Sequence, residues 1–321
     1  MCYSAQVSQL ARKLNRQLGL TLDYVESERL FVRRLDDPSI VISRGFESNF
    51  DDPQNEQDRR IKGAIDEHRS RQATKWEQNL FSQKTRLVNA ERALQEKETK
   101  KASEDVRIAT NKIAALSRKL SDLRRVESTA RDNRIFPMVY GGVIIKQDRA
   151  NVLTPMRYFC RPAGKPAFYD RKFPGLYNAR RDNLEKFWGE QFGTHHAIMV
   201  VDSFFENVSL HTMQHRELAP GEEEQNVVLQ FTPKPAQSML IACLYSHWTD
   251  AKDPDVRGFA AITDEPPSDV SEAGHDRCII NLLPQHVEAW LTPEGRSRAD
   301  LQAILSDRAV SGYQHQSAQA A

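Results

Sequence analysis

Cys2 has a chemical option that no internal cysteine has. Once Met1 is removed, a free α-amine and a thiol sit on neighbouring carbons. The α-amine has a pKa of roughly 7.7–8.0 against about 10.4 for lysine, so far more of it is neutral at physiological pH. A neutral amine adds to an aldehyde to give a Schiff base. The adjacent thiol can then attack the same carbon and close a thiazolidine ring. The plainer reading is that many chains begin Met-Cys, so the rest of the chain decides.

Acid–base partners for such chemistry are present. Glu206 ends the run Asp202-Ser203-Phe204-Phe205-Glu206 behind a strand-like stretch. A glutamate near a buried edge is raised in pKa toward a useful acid–base value, whereas one at a strand end facing water stays ordinary. His275 heads the apolar run 278–283 and can shuttle a proton near neutrality, or serve as a satisfied structural histidine. Asn178 and Arg180 lie in a polar island after Pro174-Gly175. Asn offers donors and an acceptor, and Arg suits bidentate phosphate contact, although an ordinary loop has the same composition. Cys160, Cys243 and Cys278 sit in apolar settings and read as packing residues. The pair His195-His196 does not suggest a metal, because adjacent strand residues point opposite ways. No metal and no organic cofactor is expected.

The elements that must position these residues divide into three stretches. Residues 5–18 read as a helix, with Val7, Leu10, Ala11, Leu14 and Leu18 at helical spacing and Gly19 as its stop. A strand is expected at 39–43. From Gln54 to about Arg131 there is no proline and a single glycine, Gly63. Apolar positions recur thinly there at spacings of three, four and seven, which suits a helical hairpin paired as a coiled coil. We place its tip at 97–104. Its surplus of Lys and Arg reads as a solvated helix face, or as an arm for nucleic acid or a protein partner. Beyond Ile135 the pattern changes to short strands at 139–145, 197–201, 226–232, 239–245 and 258–263, with helices at 287–291 and 297–305. The polar tail 311–321 reads as flexible.

Composition narrows the classes. The 321 residues suffice for one large domain or two ordinary ones. Lys and Arg number 45 against 44 Asp and Glu, so any basic surface must be local. No apolar run approaches the ~20 residues of a membrane span, and the first residues do not read as a signal peptide. Four widely spaced cysteines without a CxxC pair argue against a zinc site or a disulfide framework and suit a cytoplasmic protein with reduced thiols.

Taken in order, the stretches MCYS at 1–4, PMRYFCRP at 155–162, NAR at 178–180, DSFFE at 202–206, LIACLY at 240–245, FAAIT at 259–263 and HDR at 275–277 followed by IINL form a set. In this set the chain resembles the SOS response-associated peptidase (SRAP) domain family over about residues 1–50 and 135–292. The resemblance implies that Cys2, once exposed, crosslinks the ring-opened aldehyde of an abasic site in single-stranded DNA. It implies that Asn178 holds the amine or opened sugar and that Glu206 and His275 move protons. It further implies that Arg180, Arg157 and Tyr158 contact DNA, and that "peptidase" refers to removal of Met1. The chain departs from the pattern where Tyr3-Ser4 replaces Gly-Arg, Tyr158 replaces the tryptophan of RWG, Asn207 replaces a tryptophan, and HDRCI replaces HDRMP.

The expected architecture is therefore α+β, a mainly antiparallel curled sheet around a cleft, interrupted by a long helical hairpin. Residues 1–53 and 132–310 would form the discontinuous SRAP-like domain, 54–131 the insertion and 311–321 the tail. The expected function is covalent capture of abasic single-stranded DNA in a nucleoid-associated cytoplasmic protein. Two rivals remain: an N-terminal-nucleophile amide hydrolase using the Cys2 thiol, and a coiled-coil scaffold without enzymatic activity.

Overall fold

A computed structural model describes residues 3–162, 164–250, 253–309 and 312–318; Cys2 lies outside them. In chain order, β1 (Ser4–Val7), α1 (Ala11–Leu18), β2 (Leu20–Leu22), α2 (Tyr24–Asp36) and α3 (Arg44–Glu47) come first, followed by the long helices α4 (Glu56–Glu96) and α5 (Lys100–Arg124). Next are β3 (Arg134–Ile135), β4 (Tyr140–Gln147), β5 (Ala150–Arg157), α6 (Tyr169–Lys172), β6 (Asn178–Arg180), β7 (His196–Ser209), α7 (Leu210–Met213) and β8 (Asn226–Lys234). The order ends with β9 (Met239–Asp250), β10 (Asp253–Asp264), α8 (Ser268–Glu272), β11 (Cys278–Ile279), α9 (Val287–Leu291), α10 (Arg298–Ser306) and β12 (Gly312–Ser317). Two compact units result: Met1–Leu30, Pro38–Asp52 and Ala130–Ala321 in one, Phe31–Asp37 and Pro53–Thr129 in the other.

In the first unit the described strands join one sheet, and its pairings close a ring. β5 pairs with β4, β4 with β7, β7 with β9 and β9 with β10, all antiparallel, and β10 returns to β5 in parallel at Gly258↔Arg157. Alternation along these strands turns every second side chain inward. Val143 and Ile145, Met156, Met199 and Val201, Ile241 and Cys243, and Phe259 and Ala261 fill the interior together. Burying each large side chain stabilises by roughly 1.5–3 kcal/mol relative to leaving it exposed. The closure depends on Gly258, because a Cβ there would stand 2.3 Å from the Phe159 carbonyl oxygen. The fold is α+β with a curled sheet.

The second unit contains the helical pair. Asn55 and Thr99 cap α4 and α5 by accepting from the amides of Asp58 and Ala102. Arg86 pairs with Asp105 at 2.5 Å, Arg124 pairs with Glu77, and Lys119 lies over the Trp76 ring at 5.7 Å. These contacts fix an antiparallel register. Among the described residues no helix is long and apolar enough to cross a membrane.

Several local expectations need correction. Residues 4–7 form a strand, with the helix starting at Ala11, because β7 offers a partner edge at Ser4↔Phe205 and Ala5↔Phe204. So short an apolar–polar alternation fits either period, and tertiary pairing decides it. The strand expected at 39–43 reduces to one bridge, Ile42↔Tyr140. The hairpin tip is only Lys97–Thr99, because the Thr99 cap lets α5 begin at once. The polar stretch read as a flexible tail contains β12, whose backbone pairs with β8 along Gly312↔Lys234 to Ser317↔Leu229.

Candidate active site

Asn178, Arg180 and the segment that carries His275 converge at the end of β10. Asn178, Ala179 and Arg180 on β6 run parallel to β10 opposite Ala261, Ile262 and Thr263. On the other side of β10, β11 pairs Ile279 with Thr263 and Cys278 with Asp264. One residue, Thr263, thus has Arg180 on one flank and the segment behind His275 on the other. Thr263 is fully buried, and its hydroxyl has no hydrogen-bond partner among the described residues.

His275 is placed by the turn that ends α8. Gly274 adopts φ 91°, a conformation glycine takes freely, and the His275 amide donates to the Val270 carbonyl at 3.2 Å. The ring is 8% exposed, and Nε2 lies 3.3 Å from Oε2 of Glu206, which is 0% exposed on β7. Nδ1 lies 2.8 Å from the Arg277 carbonyl oxygen and 3.3 Å from the Arg277 amide nitrogen. The carbonyl contact is the shorter, and a carbonyl can only accept, so the proton belongs on Nδ1 and Nε2 is left as an acceptor facing Glu206. Burial pushes the Glu206 carboxyl up to about 8. Burial also holds the His275 ring below its ordinary value. Near neutrality the pair is therefore a protonated carboxyl 3.3 Å from a neutral imidazole. Such a pair can release a proton and take it back without leaving a buried charge.

The start of the chain runs beside this pair. The Tyr3 amide donates to the Phe205 carbonyl at 3.0 Å, one residue before Glu206. Cys2, the expected nucleophile, lies outside the described residues. Asn178 is buried at the head of β6. Arg180 is half exposed and donates from Nε and NH2 to the two carboxylate oxygens of Asp182, at 3.0 and 2.5 Å. This bidentate contact raises the Arg180 pKa and lowers that of Asp182.

Two residues implied as DNA contacts have other surroundings. Tyr158 is 0% exposed, stacked on Phe259 at 5.0 Å and edge-on to Tyr177 at 5.6 Å, so it is a core residue and cannot touch DNA. Arg157 is buried and pairs with Asp170 at 3.0 Å. Arg161 binds the same carboxylate through Nε at 2.8 Å and NH2 at 2.6 Å. Burial pushes Asp170 up, but the Arg161 hydrogen bond and both guanidinium charges hold it below its usual range. Arg157 anchors α6 and is not an open cation.

What that anchor carries was not singled out from the sequence. Phe168 beside α6 is 49% exposed, and Phe168, Tyr169, Phe173 and Phe187 follow one another at centroid spacings of 5.2, 4.9 and 6.4 Å. Lys165 lies 5.9 Å over Tyr169, and Lys172 lies 5.4 Å over Phe173. The alternation of aromatic and basic residues at 165–173 was the available signal. The remaining cysteines are buried, and burial pushes the Cys160 and Cys278 thiols up to about 12. Both ring nitrogens of His196 are engaged, Nδ1 with the Trp290 carbonyl and Nε2 with the Gly193 amide, each at 3.0 Å. Among the described residues no group of three His, Cys, Asp or Glu could hold a metal ion.

The curled sheet carries a buried carboxyl–imidazole pair beside its first strand, and comparison places the chain in a family. The family model for the SOS response associated peptidase (SRAP) matches residues 73–318. The chain belongs to the SRAP family, whose name ties it to the response to DNA damage. The match includes α5 and α4 from residue 73 onward and does not reach residues 1–50, which carry part of the motif set. Similar solved structures include a protein from Bordetella bronchiseptica (16% identity, 61% of this chain and 90% of that one, TM-score 0.46). Another is a protein from Bacteroides thetaiotaomicron (15% identity, 58% and 77%, TM-score 0.46). A third is a phage-related protein from Bordetella bronchiseptica (19% identity, 58% and 81%, TM-score 0.44). Among curated proteins nothing matches.

Proposed function

We propose that the chain crosslinks covalently to abasic sites in single-stranded DNA through Cys2, after Met1 is removed by the protein's own peptidase activity. The observation that carries this reading is the buried Glu206–His275 pair beside the strand that begins the chain. The Cys2 amine adds to the aldehyde carbon of the ring-opened sugar and gives a carbinolamine. Glu206, in its protonated form, gives its proton to the departing hydroxyl, and water leaves as the Schiff base forms. The thiol sulfur then bonds to the same carbon, its proton passes to the nitrogen through the pair, and the thiazolidine closes. One water is released overall. The proton that the nitrogen loses as the Schiff base forms returns to the Glu206 carboxylate, and His275 relays the thiol proton to the nitrogen. Asn178, at the head of β6, holds the amine or the opened sugar, and Arg180 contacts phosphate.

Family membership and the aromatic–basic strip around Phe168 support single-stranded DNA as the partner. Bases stack on exposed rings while Lys and Arg follow the backbone, a sequence-tolerant mode of binding. The reaction needs no cofactor, and a nucleoid-associated cytoplasmic protein is the setting that fits it.

The test is incubation with a single strand bearing one abasic site, resolved on a denaturing gel. The parent protein forms a stable adduct, and Cys2→Ala forms none. An absent adduct in the parent, with turnover of an amide instead, would replace this reading with amide hydrolysis by an N-terminal nucleophile. Absence of both activities would leave a scaffold.

A further inference from the structure

Arg134 stands in a position that neither the motif set nor the proton-transfer chemistry uses. It lies on β3, which pairs with β1 so that Gln6 faces Arg134, while β1 pairs with β7 so that Ser4 faces Phe205. Strand alternation puts Ser4, Phe205 and Arg134 on one face of this three-stranded patch, with Glu206 turned to the other. Arg134 Nε donates to Ser4 Oγ at 3.0 Å. Its guanidinium lies 3.6 Å over the Phe205 ring and 4.8 Å from that of Phe136, and Tyr3 packs edge-on against Phe136 at 5.7 Å. The fork is held by one hydrogen bond and by stacking, which leaves both terminal NH2 groups as donors. No carboxylate among the described residues pairs with it. Arg180 differs, because its Nε and one terminal nitrogen are already engaged by the Asp182 carboxylate, which neutralises part of its charge.

Position adds to this contrast. Ser4 is two residues from Cys2, and the phosphates of an abasic nucleotide are only a few bonds from its aldehyde carbon. A strand whose aldehyde meets Cys2 must carry a phosphate past the start of β1. We propose that Arg134, held in orientation by Ser4 and Phe205, binds a backbone phosphate of the single strand beside the nucleotide that is captured. This inference rests on the abasic-DNA reading above. It assigns Arg134 to grip and leaves proton transfer to the pair on the opposite face. Because the guanidinium is partly buried, a phosphate there is screened less by salt than one bound to a fully exposed cation.

The experiment measures two quantities separately on the full chain: affinity for an undamaged labelled thymidine oligonucleotide by anisotropy across a salt series, and adduct rate on the same strand with one abasic site. Arg134→Ala is expected to weaken binding about three- to ten-fold at moderate salt and to lower the slope of log affinity against log salt by about 0.7, the contribution of one single-strand phosphate contact. Its adduct rate falls at limiting DNA and returns to the parent value at saturating DNA. Arg134→Lys keeps the charge and therefore the slope, and loses only part of the affinity. Ser4→Ala weakens binding with the slope unchanged, because the charge stays while its orientation is lost. If Arg134→Ala does not fold, the lysine and Ser4 variants carry the test, and parental affinity in both overturns the proposal. Folded Arg134→Ala with parental affinity and slope also overturns it, while an adduct in the parent leaves the capture reading standing. A parent that neither binds the strand nor forms an adduct overturns both.

Discussion

Glu206 carries the sharpest residue-level consequences. Its folded pKa is raised to about 8, so the folded state keeps a proton that the unfolded chain has released by about pH 5. Stability from this group is therefore full below the unfolded value and is lost as pH rises through the folded value. Relative to Glu206→Gln, the parent should lose thermal stability steadily between pH 5 and pH 8, with a constant gap above pH 8. A gap that does not change with pH would show that the carboxyl is ionised throughout. In catalysis the same group gives a basic limb. The parent's adduct rate should fall above about pH 8 as Glu206 loses its proton, and fall on the acid side as the Cys2 amine becomes protonated. Glu206→Gln should react about 10²–10⁴-fold more slowly, without the basic limb, while binding undamaged single strands as the parent does. Equal loss of binding and rate would mean that Glu206 holds DNA instead of moving protons. The chemical residue types were legible in the sequence, and their pairing only through the family resemblance. Glu206 and His275 are far apart in the chain and meet only because the turn after α8 packs against β7, with Gly274 beside Val208. Arg157 and Tyr158 were misread because a basic–aromatic dipeptide serves a nucleic-acid face and a buried core equally well. Arg134 went unnoticed because its meaning depends on the β1–β3 register across the intervening helices.

At the scale of elements, β10 orders the site. β6 and β11 flank the same end of it, and its middle closes the ring onto β5 at Gly258. Gly258→Ala forces a Cβ against the Phe159 carbonyl oxygen, which is backbone and cannot swing away. The expected cost is about 2 kcal/mol or more, seen as a clearly lower unfolding midpoint, and the adduct rate should fall with it because β6 and β11 both hang on β10. An unchanged midpoint would show that the strands separate easily and that the ring does not hold the site. The long apolar strands β4, β7, β9 and β10 were legible, since runs of buried type bounded by turn residues are unambiguous. The short ones were not. Val7 suits a helical stripe as well as a strand, and the polar β12 is held by backbone pairing, which side-chain pattern does not record.

For the whole molecule, two compact units pose the question of what the long helices do. We propose that they are dispensable for capture. Replacing residues 55–128 with a short Gly/Ser linker should leave a folded protein, because loop length costs stability only logarithmically. Its adduct rate on a short abasic strand should stay within a few-fold of the parent. A folded deletion variant whose rate collapses at moderate salt and recovers at low salt would instead make the Lys and Arg of α4 and α5 part of the DNA site. The claim on which everything else depends is that Cys2 becomes the crosslinking residue. The most direct measurement is intact mass, followed by peptide mapping, after incubation with an abasic single strand. The expected species lacks Met1, gains the mass of the oligonucleotide less one water, and carries the modification on Cys2; Cys2→Ala gains nothing, and Cys2→Ser at most a slower, less stable product. Retention of Met1 in the reactive protein, or an adduct mapped to any other residue, would contradict the account.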